Sequence, residues 1–176
     1  MYSQEPVHVN LKDLALVFTL FMIALIVLMG AAANSDLLWF LPFFNETPSR
    51  ITVYWEGCRT DILPGEHHFD EMMLAINQSL SQVEGYEQGF GLNQETLTQY
   101  KTQWRVVEVR YPKRIKIHTA FRFGDPDSLF IPLNEYFGVG RAVFGGIAGD
   151  YWSGALRLKT IEPIQRAAEQ IRCVKR

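Results

Sequence analysis

Thiols are scarce in this chain: Cys58 and Cys173 are the only two among 176 residues. With one thiol at each end of the carboxyl-terminal region there is no CxxC pair, although Cys58 lies near the histidines His67 and His68. The zincin pattern HExxH is absent. The glycine-rich tract Gly138–Gly154 lacks the lysine and hydroxyl of a phosphate-binding P-loop, and its glycines miss the dinucleotide-binding spacing. Net charge is only −2, which points to no acidic or basic partner in bulk. Neither internal repeats nor low-complexity tracts occur. The remaining scarcity is local. Between Asp13 and Asp36 no charged residue occurs.

That uncharged run is the strongest signal in the chain. Residues 14–35 read LALVFTLFMIALIVLMGAAANS. As a helix they would rise about 33 Å, enough to cross a hydrocarbon core of about 30 Å. A cleaved signal peptide competes, because Gly30 to Asn34 resembles a processing site. The apolar core is long for such a peptide, and the polar leader 1–13 is not basic. The sequence therefore predicts a single-span transmembrane anchor. Lys12 precedes the run, and the first base after it is Arg50. This bias places the amino terminus in the cytoplasm and the rest outside it.

Residues 36–50 follow as an interfacial segment and linker. Trp39, Phe40, Phe43 and Phe44 suit the headgroup region of a bilayer or a partner subunit. Pro42 blocks a continuous helix. The polar stretch Asn45–Arg50 joins this segment to a folded domain at 51–176.

Within that domain, alternation over Ile51–Glu56 predicts a strand. Gly57–Glu66 reads as a turn. Phe69, Met72, Met73, Ile76, Leu80 and Val83 form one helical stripe. Asn93 caps a second helix. Trp104–Tyr111 and Arg114–Phe123 read as a hairpin around Pro112 and Lys113. Ser128–Leu133 and Tyr151–Thr160 are further strands, with Pro132 suited to an edge or an end. Glu162 and Pro163 open a last helix. The fold class predicted is α+β: one transmembrane helix, then one small domain with a mainly antiparallel sheet and two or three helices.

Candidate chemistry is thin. Gly65–Glu71 reads GEHHFDE, with His67, His68, Asp70 and Glu71 in a row. On a helical wheel none of the four joins the apolar stripe, and adjacent histidines cannot both face one ion from a helix. The stretch reads as a helix start, with no metal site, catalytic residue or cofactor expected. Cys58 and Cys173 are a disulfide candidate in an oxidising compartment. The glycine-rich tract reads as a flexible loop. In its alternative reading it is a contact surface through Phe144, Tyr151 and Trp152.

Charge is segregated along the chain. Glu56 to Glu95 hold eight acids and one base, a net of −7; Lys101 to Arg122 hold seven bases and one acid, a net of +6. Mutual compensation is the simple expectation, and contact of the basic segment with anionic lipid or an acidic protein is the other. Nucleic acid is not an expected partner.

The function expected is that of a non-catalytic, membrane-anchored accessory or structural subunit of a larger membrane complex, with the bilayer and other subunits as partners. The alternative is a membrane-tethered enzyme or small-ligand binder using Arg141 and Asp150 of the glycine-rich tract, or the histidines.

Overall fold

The computed structural model describes residues 10–89, 91–134 and 140–171. It contains four helices and one seven-stranded antiparallel sheet, an α+β arrangement as the sequence predicts.

Helix α1 spans Leu11–Asn34. Asn10 starts it, its side chain accepting a hydrogen bond from the Lys12 N–H at 3.1 Å. Ser35 ends it in the left-handed conformation at φ 53°. None of its 24 residues is buried, and its apolar side chains point outward on all sides. A helix apolar all round needs an apolar surrounding.

The strands are β1 (Arg50–Trp55), β2 (Cys58–Ile62), β3 (Val83–Glu87), β4 (Arg105–Arg110), β5 (Ser128–Pro132), β6 (Ala142–Ile147) and β7 (Asp150–Leu158). Their order across the sheet is β2-β1-β4-β5-β6-β7-β3. The remaining helices are α2 (Phe69–Leu80), α3 (Gln94–Gln103) and α4 (Glu162–Glu169).

Period-two alternation sorts the sheet residues onto two faces. Ile51, Val109 and Leu129 stand in register across β1, β4 and β5, as do Val53, Val107 and Ile131. These residues join the large core that α2 and α4 cover. Met72, Ile76 and Leu80 of α2 are almost completely buried there, so the helical stripe read from the sequence is the packed face as far as Leu80; Val83, read as its last member, instead opens strand β3. Ile76→Val should cost about 0.5–1.5 kcal/mol, and Leu74→Ala, on the exposed side, close to nothing. Chemical denaturation of the two variants beside the parent checks this.

The opposite face carries a smaller core. Tyr54, Val106, Phe130, Phe144 and Ala155 lie on it, covered by α3 through Leu97 and Tyr100. Asn93 caps α3 as predicted, accepting from the Thr96 N–H at 2.7 Å.

Three local expectations do not hold. Arg114–Phe123 is no strand, and the hairpin about Pro112 and Lys113 does not form. Both sides of β4 are occupied, by β1 and β5, so no edge is left for it. Ile115, Ile117, Thr119 and Phe123 do point inward. The alternation is therefore real, but it reports an extended strap lying over the core rather than a paired strand.

Cys58–Ile62 is strand β2, reached through the two-residue turn Glu56-Gly57, both at positive φ. The glycine-rich tract is not a loop at its centre but strand β6, paired with β5 and β7. Its glycines serve packing. A side chain at Gly145 would collide with the rings of Trp152 and Phe123, which lie against the strand there.

Candidate functional site

Two places in the described residues gather polar chemistry. The first is the exit of α1. Asp36 is 8% exposed, and its carboxylate takes the Leu38 N–H at 2.9 Å and lies 2.8 Å from His118 Nδ1. Burial pushes the Asp36 carboxyl up. The hydrogen bonds from His118 and the Leu38 N–H, with the charges of His118 and Lys116, outweigh it and hold the group below its ordinary range. Lys116 Nζ donates to the Ser35 carbonyl at 2.8 Å, closing the last turn of α1 against the strap. Trp39 folds back over α1, its indole N–H 3.4 Å from the Val27 carbonyl. Gly30 makes this possible, since any side chain there would meet the indole.

Farther on, the Phe43 ring lies 4.8 Å from that of His118. The Phe44 N–H donates to Ser81 Oγ at 2.9 Å, and its ring enters the core. The segment 36–44 is thus held at its start by His118 and at its end by Ser81. Between these ties Leu37, Leu38, Phe40, Leu41 and Phe43 are exposed.

The second place is Glu108, on the α3 face of β4 and 5% exposed. Its Oε2 receives Lys101 Nζ at 2.9 Å and the Tyr54 hydroxyl at 3.1 Å. Its Oε1 receives the Tyr151 hydroxyl at 3.0 Å, with Arg110 at 3.5 Å. Burial raises the Glu108 carboxyl, but the Lys101 hydrogen bond and charge and the two hydroxyls bring it below its ordinary value of 4.5. Burial, reinforced by the carboxylate, pushes Tyr54 up to about 12 and Tyr151 up as well. At neutral pH two phenols and an ammonium therefore donate to one carboxylate. Both oxygens are engaged, and no lone pair is left aimed at a substrate. This is a buried tie between α3 and three strands.

The residues singled out in the sequence fall as follows. Trp39 is half-buried on α1, whereas Phe40 and Phe43 are exposed. Phe44 and Phe144 are core residues, 5% and 2% exposed, and the surface contact expected of them does not hold. Their places are fixed by inward-pointing backbone positions that the local sequence does not reveal. Tyr151 and Trp152 are half-buried, one on Glu108 and the other against Phe123.

Arg141 and Asp150 stand at opposite ends of the β6–β7 hairpin, separated by the six residues of β6. At about 3.3 Å per residue that is about 20 Å, so the pair does not converge on one ligand. Arg141 is instead engaged with Glu84 at 3.1 Å and the Lys159 carbonyl at 2.8 Å.

His68 occupies the cap position of α2 in the left-handed conformation, and the helix begins at Phe69. His68 Nδ1 lies 3.3 Å from Glu71, which also accepts from Gln170 at 2.8 Å. Among the described residues no group of three or more metal-binding side chains comes together. His67→Ala should change stability by less than about 0.5 kcal/mol, because the residue is exposed and lies outside the helix. His68→Gly should be neutral or slightly stabilising, since glycine takes φ 69° without strain. Thermal melts of both variants check this.

Cys58 is buried at the first position of β2, and the described residues hold no free cysteine. Cys173 lies outside the described residues. The ion pairs also answer the question of charge compensation. Among the described residues none joins a base of 101–122 to an acid of 56–95; Lys101 and Arg110 turn to Glu108, and Lys116 to Asp125.

The Glu108 tie was missed in the sequence, though it left one trace. An acid inside the apolar run Val106-Val107-Glu108-Val109 of a strand implies a buried partner. No family model, curated protein or solved structure matches this chain.

Proposed function

We propose that this is a non-catalytic, single-pass membrane protein, its carboxyl-terminal domain outside the cytoplasm, serving as an accessory subunit of a larger membrane complex. One observation carries the reading: α1 has 24 residues, none buried, and would rise about 36 Å. The exposed Leu37, Phe40, Leu41 and Phe43 continue the apolar surface past its end. Retention of α1, rather than cleavage near Asn34, is supported by the contacts across that point. The Trp39 indole, packed on Gly30 and 3.4 Å from the Val27 carbonyl, would lose both partners with the helix. The outward orientation rests on Lys12 before the span and the distance to Arg50 after it. We include in this reading a disulfide between Cys58 and Cys173.

The saturated Glu108 and the separation of Arg141 from Asp150 favour a structural role over catalysis. Native membranes washed at alkaline pH should keep the full chain in the pellet. Protease added from outside intact cells or sealed organelles should remove the domain only where that face is exposed. Recovery of the chain in the wash would refute the anchor; protection of the domain in intact cells and digestion after lysis would reverse the orientation.

A further inference from the structure

We propose that the exit of α1 is a binding site for the phosphate headgroup of anionic lipids, built by Lys116 and Arg122 of the strap. This rests on the reading of α1 as a bilayer span. A cleft of about 210 Å³ opens where α1 meets the strap, lined by the bases Lys116 and Arg122, the acids Asp36 and Asp125, and Asn34 and Ser35 among others. Because Asn34 ends α1, the cleft stands at the level where the span leaves the hydrocarbon and lipid phosphates begin.

Charge complementarity selects the occupant. Arg122 is exposed and makes no ion pair or hydrogen bond among the described residues. Lys116 is 41% exposed at its side chain; its ammonium donates to the Ser35 carbonyl at 2.8 Å and meets Asp125 at 3.8 Å, which leaves one of its three N–H groups for another acceptor. The acid closest to the helix end, Asp36, is already taken by His118. The +6 stretch thus leaves Arg122 without an acid partner at the membrane boundary, beside a Lys116 that Asp125 holds only at 3.8 Å. Beside them the exposed Leu38, Phe40, Leu41 and Phe43 provide the apolar surface that acyl chains would cover. A guanidinium and an ammonium above such a surface match a phosphodiester whose tails lie below it.

The test uses the full chain in mild detergent, titrated with phosphatidylglycerol, phosphatidylcholine or inorganic phosphate, with bound lipid counted by native mass spectrometry. Each base near an anionic surface is worth about fivefold, so the two give about a twenty-five-fold preference for phosphatidylglycerol over phosphatidylcholine. K116Q/R122Q should abolish that preference. R122Q alone removes no contact of the fold and should reduce it about fivefold. R166Q, a base on α4 that does not line the cleft, should leave it unchanged. Equal binding of the two lipids by the parent, an undiminished preference in R122Q, or any preference surviving in the double variant overturns the proposal. Displacement of phosphatidylglycerol by an equal concentration of inorganic phosphate overturns its assignment to lipid. Removing the detergent separates the two readings: protein that stays dispersed refutes the span and this site together, whereas protein that aggregates yet shows no lipid preference refutes this site alone.

Discussion

Glu108→Ala should cost about 3 kcal/mol, the lower part of the range for breaking a buried ion pair, because Lys101 keeps about a third of its side chain in water. The loss comes from what remains behind. Lys101 would lack its counter-charge, and the Tyr54 and Tyr151 hydroxyls would lose their acceptor beneath α3. Glu108→Gln should cost less, since an amide oxygen still accepts.

The pH dependence separates this account from simple loss of packing. The folded state holds the Glu108 carboxyl below its ordinary value of 4.5, so it prefers the carboxylate. The contribution is present in full above that value and is lost as pH falls through the lower folded value. The stability gap between the parent and Glu108→Gln should therefore be constant from pH 7 to about 5 and close in acid. A gap unchanged down to pH 3, measured by urea unfolding of the detergent-solubilised chain, would show that the carboxylate's charge is not what holds α3.

Removing the proposed disulfide should have the largest effect. Cys58 and Cys173 would close a loop of more than a hundred residues, worth about 5 kcal/mol in the chain-entropy model. Cys58→Ser and Cys173→Ser should each lower the melting temperature about as much as the double variant, because either one opens the loop. Reductant should lower the parent to the same point and leave the variants alone. Two thiols labelled in the denatured, unreduced parent would refute the bridge and weaken the case for an oxidising compartment.

What the sequence disclosed followed from periodicity. The uncharged run became α1, and the Met72–Ile76–Leu80 stripe became the buried side of α2. Asn93 was readable as a cap because the motif is local. The errors arose where one local pattern has two physical causes. Alternation in Arg114–Phe123 records which side faces the core, whether the backbone pairs with a neighbour or not. Whether a place beside β4 is free depends on β1 and β5, far away in the chain. Glycines in β6 looked like freedom, but Gly145 makes room for the rings of Trp152 and Phe123, and Gly146 for Tyr151 and the Asp150 backbone.

The candidate sites were still less legible. Glu108 gathers residues 54, 101 and 151, which no spacing connects. The α1 exit joins Asp36 to His118 across 82 positions. Both became visible only once the strap and the sheet register were known. Phe40 and Phe144 look alike in sequence, yet one is 47% exposed and the other 2%.

The account's central claim is that this chain stays anchored and works as part of a larger membrane assembly. The most direct measurement is the mass and composition of the native particle, extracted in mild detergent and purified through a tag after residue 176. The account predicts a particle heavier than the 20.2 kDa chain and its micelle, containing this chain with α1 intact and other membrane subunits at a fixed ratio. A lone chain in its micelle would contradict the accessory role, and a soluble form beginning near Asn34 would contradict the anchor itself.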